Sequence, residues 1–88
     1  MKVEFLKQFS KDLDKLHVRA VKQSLLRVIE SLESAETLET IPNIKKLKGF
    51  RSAYRIRIGD YRLGLFYENS NAVLARFAHR KDIYSLFP

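Results

Sequence analysis

The stretch Tyr54-Arg-Ile-Arg-Ile-Gly-Asp-Tyr-Arg-Leu63 alternates apolar and basic residues, breaks at Gly59-Asp60 and alternates again. Period-two alternation on both sides of a Gly-Asp pair predicts a β-hairpin with a two-residue turn. Ile58 then pairs with Tyr61, Arg57 with Arg62 and Ile56 with Leu63. Tyr54, Ile56, Ile58, Tyr61, Leu63 and Leu65 share one face, and Arg55, Arg57 and Arg62 share the other. Arginines directly opposite one another repel, which works against the pairing. A chain that accepts this cost is expected to use the patch to hold something anionic.

Beyond the hairpin, Asn69-Ser70-Asn71 reads as a second turn and Ala72 to Arg80 as a third strand. A three-residue loop pairs Tyr67 with Val73, Leu65 with Ala75, Leu63 with Phe77 and Tyr61 with His79. This places Leu74, Arg76, Ala78 and Arg80 on the basic face, whereas a one-residue slip would press Arg76 and Arg80 into the apolar side. Gly64 falls in the middle of the arginines. It allows either close approach of a ligand to the backbone or a bulge.

Before the hairpin, Val3 to Phe5 suits a short strand. Phe9, Leu13 and Leu16 recur at helical spacing, with Ser10 a candidate N-cap. After a break near His17, Val18, Val21, Leu25, Val28, Ile29 and Leu32 form the apolar stripe of a second helix ending near Ser34. Thr40-Ile-Pro-Asn43 is a loop, and Lys45-Lys-Leu-Lys-Gly-Phe-Arg51 a basic lead-in to the hairpin. Lys81 to Pro88 allows a turn of helix or an extended tail. The expected fold is α+β: one domain over residues 1–88, order β-α-α-β-β-β, an antiparallel sheet with a helical hairpin packed on one face.

The net charge of +7 is unevenly placed. Residues 1–44 carry seven Lys/Arg and seven Asp/Glu; residues 45–88 carry ten and three. Such asymmetry points to a polyanion, most often nucleic acid. With no cysteine, a disulfide or thiolate site is excluded. No run approaches the ~20 apolar residues of a membrane span, and Met1 to Phe5 lacks the apolar stretch of a signal peptide. A cytoplasmic protein with no membrane partner is expected.

Arg55, Arg57, Arg62, Arg76 and Arg80 from three strands constitute a candidate anion site, since guanidinium forks match phosphate oxygens and stay charged. Lys45, Lys46 and Lys48 extend the field along a phosphodiester backbone. His79 is a candidate proton carrier, and Tyr84 a hydrogen-bond donor or stacking partner. No Gly-rich phosphate loop, Ser/His/Asp set or carboxylate cluster accompanies them, so neither a metal site nor a cofactor is expected. A nuclease of this composition must rely on RNA, whose own 2′-hydroxyl attacks the adjacent phosphate.

The element order, Lys46-Leu-Lys-Gly49, the Tyr54–Leu63 hairpin and the ending His79-Arg-Lys-Asp-Ile-Tyr84 together resemble the RelE/ParE toxin superfamily of bacterial toxin–antitoxin modules, over nearly the whole chain. The resemblance is nearest to the RelE branch. It implies a RelE-like fold and a ribosome-dependent, metal-independent endoribonuclease that cleaves mRNA in the ribosomal A site, inhibits translation and arrests growth. It further implies 2′,3′-cyclic phosphate and 5′-hydroxyl ends, contacts to 16S rRNA, a monomeric free toxin and silencing by a cognate antitoxin. The branch's active-site pattern falls on Arg55, Arg57, Arg62, Arg80 and Tyr84. Where the best-known form has lysines this chain has Arg55 and Arg57, which are poor bases; His79 is the substitute the sequence offers. The spacing from Arg80 to Tyr84 is also shorter than in that form. The alternative implied by the same superfamily is a ParE-like toxin without nuclease activity that poisons DNA gyrase.

Overall fold

Two strands, Ala53–Ile58 and Tyr61–Glu68, pair about Gly59-Asp60 with Ile58 opposite Tyr61, Arg57 opposite Arg62 and Ile56 opposite Leu63, the register predicted by the alternation. Gly59 takes φ +59°, the left-handed conformation that a two-residue hairpin turn needs at its first position. The computed structural model describes residues 1–88. In chain order the elements are β1 (Lys2–Phe5), α1 (Lys7–Asp14), α2 (Arg19–Ser34), β2 (Ile44–Lys46), β3 (Ala53–Ile58), β4 (Tyr61–Glu68), β5 (Asn71–His79) and α3 (Ile83–Leu86), with a 3₁₀ turn at Leu38–Thr40. No helix is long and apolar enough to cross a membrane.

The α+β order stands as expected, with three changes. The sheet is mixed, not antiparallel: its order is β1-β5-β4-β3-β2, and β1 lies parallel to β5. Four antiparallel strands follow one another from β2 to β5, and β1 then adds beside β5, a direction that four residues of sequence do not encode. The lead-in Ile44–Lys46 is itself an edge strand, pairing Lys45 with Arg55 and Lys46 with Tyr54. Finally, the N-cap of α1 is Leu6, not Ser10; Ser10 N–H already donates to the Leu6 carbonyl at 3.2 Å.

The second turn differs from the predicted three-residue loop. Asn69 and Ser70 both take positive φ, +51° and +63°, and close a two-residue turn with Glu68 opposite Asn71. From the other end, Tyr61 opposite His79 and Leu63 opposite Phe77 match the prediction. The two registers differ by one residue, and a bulge at Ala75, beside Gly64 and Leu65, absorbs it. Leu74 is therefore fully buried on the helix side, while Ala75 turns to the opposite face.

Two apolar clusters result. The larger packs Phe9, Leu16, Leu25, Ile29 and Leu32 of the helical layer against Ile56, Ile58, Leu63, Leu65, Leu74 and Phe77 of the sheet. The smaller lies across the sheet, where Leu47, Ala53 and Ala75 receive Ile83 and Phe87 of the C-terminal segment. Small residues on that face leave room for a four-residue helix. The α2 C-terminus is capped by the Met1 ammonium, which donates to the carbonyls of Leu32, Glu33 and Ala35 at 3.2, 2.9 and 2.6 Å, a cation placed where the helix dipole favours it.

Candidate active site

Strand pairing sets Lys45, Arg55 and Gly64 side by side across β2, β3 and β4, with Arg57 and Arg62 paired one step nearer the hairpin turn. These side chains emerge on the face that the α1–α2 layer leaves uncovered. They surround an open cavity of about 330 Å³ lined by Asn43, Ile44, Lys45, Arg55, Arg57, Arg62 and Tyr84. Four cations and no carboxylate form its wall.

Local contacts explain how arginines directly opposite one another coexist. Arg57 donates from Nη2 to Asn43 Oδ1 at 3.2 Å. Arg62 turns the other way and donates from Nη1 to the carbonyls of Gly59 and Tyr61, both at 2.9 Å. The two guanidinium groups are drawn apart, one toward β2 and one toward the turn. Asn43, at φ +64°, is suited to its position because asparagine tolerates the left-handed region. Its place in the site is legible in the sequence only as the residue after Pro42 in the loop.

Tyr84 sits on α3 with 71% of its surface exposed, its ring centroid 4.5 Å from Arg55 Cζ. This cation–π contact orients the Arg55 fork, and the tyrosine lines the cavity beside it. Beneath α3, Gly64 is buried, and a β-carbon built on it would lie 2.5 Å from Phe87 Cγ and Cδ2. The gap left by the missing side chain is filled by the chain's own tail and not by a ligand; the bulge reading of Gly64 holds as well.

The remaining candidates lie elsewhere. Arg76 is drawn away from the arginine set and donates to both carboxylate oxygens of Asp12 on α1, Nε at 2.8 Å and Nη2 at 3.2 Å. Phe77 N–H donates to the same Asp12 at 2.9 Å, so the carboxylate also satisfies a strand amide. Burial alone would raise the Asp12 pKa, but the hydrogen bonds from Arg76 and Phe77, the Arg76 charge and Gln8 outweigh it and hold the carboxyl below its ordinary value. Asp12 reads in sequence as an ordinary solvated helix residue.

His79 stands opposite Tyr61 on the helix side, edge-on to its ring at 5.5 Å between centroids, and its Nδ1 accepts from Lys81 N–H at 3.2 Å. Strand alternation thus turns it away from the arginines; it lines a separate cavity with Tyr61, Arg76 and Asp82. Arg80 extends β5 by one bond, its N–H donating to the Asp60 carbonyl at 2.7 Å, and its exposed side chain lies 3.9 Å from the Asp60 carboxylate. It flanks the hairpin turn outside the cavity wall. Lys46 Nζ donates to the carbonyls of Phe50 and Arg51, both at 3.1 Å, and lies 5.9 Å from the Tyr54 ring centroid. It holds the β2–β3 loop in shape. Lys48 is exposed on that loop, beyond the cavity.

Comparison with known proteins identifies the family and the fold. Residues 3–84 match the family described as the ParE toxin of type II toxin–antitoxin system, parDE. Over all 88 residues, and all of the relative, the chain is 39% identical to a protein named Toxin RelE3 of Methanocaldococcus jannaschii. The RelB–RelE antitoxin–toxin complex from Methanococcus jannaschii contains a chain that superposes with a TM-score of 0.83 at 34% identity, covering 97% of this chain and 99% of that one. A chain of the archaeal RelE–RelB complex from Pyrococcus horikoshii gives 0.71 at 25% identity, covering 90% and 93%. Full-length sequence identity, the family match and the shared fold together place the chain in the RelE/ParE superfamily of type II toxins.

Proposed function

We propose that this toxin is a ribosome-dependent endoribonuclease that cleaves mRNA without a metal ion, leaving a 2′,3′-cyclic phosphate and a 5′-hydroxyl. The observation that carries the reading is the acid-free cavity of Lys45, Arg55, Arg57, Arg62 and Tyr84. Cleavage by the 2′-hydroxyl passes through a phosphorane with added negative charge. Fixed cations aimed at it stabilise it more than the ground state. Arg55 and Arg62, each held by an internal contact, would grip the non-bridging oxygens, and Arg57 an adjacent phosphate. As the 2′-oxygen bonds to phosphorus, the P–O5′ bond breaks; one proton leaves the 2′-oxygen and one reaches the 5′-oxygen. Tyr84 and Lys45 are the cavity groups with a transferable proton, since arginine keeps its own. Arg80 and Lys48, outside the wall, would serve the flanking backbone and 16S rRNA. Arg76, paired with Asp12, and Lys46, bound to the β2–β3 loop carbonyls, both lie outside the cavity wall and would not touch the scissile phosphate.

Relatives whose solved structures are RelB–RelE complexes support a cognate antitoxin as partner, expected to be acidic enough to meet the basic face. The cavity has room for a phosphodiester with its ribose, and its four cations without a carboxylate favour the ribonuclease over a gyrase-poisoning toxin. The direct test is purified toxin added to ribosomes stalled on a defined mRNA. New 3′ ends whose phosphate a phosphatase removes only after the cyclic phosphate is opened, paired with 5′ ends that accept a kinase-transferred phosphate, are expected; intact mRNA would contradict the proposal. In the same assay His79→Ala is expected to stay within about threefold of wild type, because a side chain on the other face carries no proton in the reaction. A loss of 10²-fold or more, the range of general acid–base catalysis, would return His79 to the mechanism.

A further inference from the structure

We infer that Phe87, seated in the notch left by Gly64, is the positioning residue that fixes Tyr84 over Arg55; the inference rests on the ribonuclease reading for its kinetic consequence but not for its geometry. Four residues of helix are too few to hold themselves together in water, so the place of α3 must come from packing. Ile83 on α3 and Phe87 just past its end, in extended conformation, enter the same apolar cluster and are almost wholly buried, 0% and 4% exposed. Tyr84, one residue on from Ile83, is turned about 100° from it and lines the cavity. It has no anchor of its own beyond the Arg55 face.

Ile83 and Phe87 bracket Tyr84 in the chain, and they hold it differently. Both enter the apolar cluster of Leu47, Ala53 and Ala75, and Phe87 alone also fills the Gly64 notch. Phe87 lies flat against the β4 backbone, where a β-carbon on Gly64 would come within 2.5 to 2.9 Å of three of its ring carbons. Its other side meets Phe66, centroids 5.0 Å apart and tilted by 56°. The Phe87 N–H closes α3 on the Ile83 carbonyl at 2.9 Å. Gly64 is also the strand neighbour of Arg55. One backbone position therefore sets both the ring beneath α3 and the arginine beneath Tyr84. Without Phe87, α3 could pivot about Ile83, and Tyr84 would leave Arg55.

The test pairs kinetics with a structural signal. In wild type, the Tyr84 ring is expected to shift an Arg55 side-chain proton upfield in the NMR spectrum, to be assigned by its loss in Tyr84→Ala. Phe87→Ala is expected to erase that shift while the amide spectrum stays dispersed, and Gly64→Ala, which expels the ring by its added β-carbon, is expected to do the same. Cleavage at saturating substrate falls about 10²-fold in both, the cost of a misplaced catalytic group. Phe87→Leu, which keeps an apolar side chain over Gly64, recovers most of the rate. Because Phe87 acts through Tyr84, Phe87→Ala costs nothing more in the Tyr84→Ala background. Equal slowing in both backgrounds, or an unchanged Arg55 shift in Phe87→Ala and Gly64→Ala, would overturn the inference. A wild-type protein that cleaves no mRNA sinks the ribonuclease reading, and the Arg55 shift still decides the role of Phe87.

Discussion

Arg55→Ala is expected to slow mRNA cleavage by about 10²–10³-fold, the loss seen when one preorganised donor to a developing oxyanion is removed, with little change in thermal stability. Arg55 is half-buried between Lys45 and Gly64 on neighbouring strands, and its guanidinium lies under the Tyr84 ring. The substitution removes a cation from the cavity wall and the support of the one aromatic group there. Stability should hold because the residue has no carboxylate partner and its neighbours are cations, so its removal relieves repulsion as it loses packing. Arg55→Lys separates charge from shape: lysine keeps the charge but not the two-pronged geometry, and only part of the rate should return. Single-turnover cleavage on stalled ribosomes, beside a melting curve, measures both. A rate within threefold of wild type, in a folded protein, would remove Arg55 from the site.

Asp12→Ala is expected to have the largest effect on stability, about 3 kcal/mol, a fall in Tm on the order of 15 °C for a chain of this size. Asp12 and Arg76 side chains are 8% and 21% exposed. Truncating the acid leaves a largely buried guanidinium unpaired and the Phe77 N–H without its acceptor. The pH dependence follows from the lowered pKa of Asp12. Its contribution is full above the unfolded carboxyl value, 3.8, and disappears as pH falls through the lower folded value. The Tm gap between wild type and Asp12→Ala should stay constant from pH 7 to about 5 and narrow toward pH 3. A gap that widens in acid would contradict the assigned ion pair. Cleavage by Asp12→Ala, measured well below its Tm, should remain, since Arg76 points away from the cavity.

The contrast between these two residues marks what the sequence makes legible. Alternation about Gly59-Asp60 gives the β3–β4 register and, with it, Arg55, Arg57 and Arg62 on one face. Those positions are set by local period and turn chemistry, both written in adjacent residues. Arg76 and His79 are set by longer-range events. The choice of a two-residue turn at Asn69-Ser70 moves the slack of one residue to Ala75. The free edge of β5 beyond β1 then lets α1 approach with Asp12, which captures Arg76. No periodicity marks Asp12 for that role. The same alternation places His79 opposite Tyr61, on the helix side and away from a proton-transfer role among the arginines. The edge strand β2 spans three residues, too few for a pattern, yet it and the residue before it deliver Lys45 and Asn43 to the cavity. Phe87, near the chain's C-terminus, gains its importance only from a glycine 23 positions earlier.

This cavity is expected to act on mRNA during translation and not on DNA topology. The most direct measurement is tightly controlled induction of the toxin in growing cells, with RNA 5′ ends mapped across translated genes and chromosome integrity followed in parallel. New 5′-hydroxyl ends at fixed positions within codons, appearing within minutes for wild type, absent for Arg55→Ala and unaccompanied by chromosome breakage, are the predicted result. Double-strand DNA breaks with no codon-linked ends would contradict it and identify gyrase as the target.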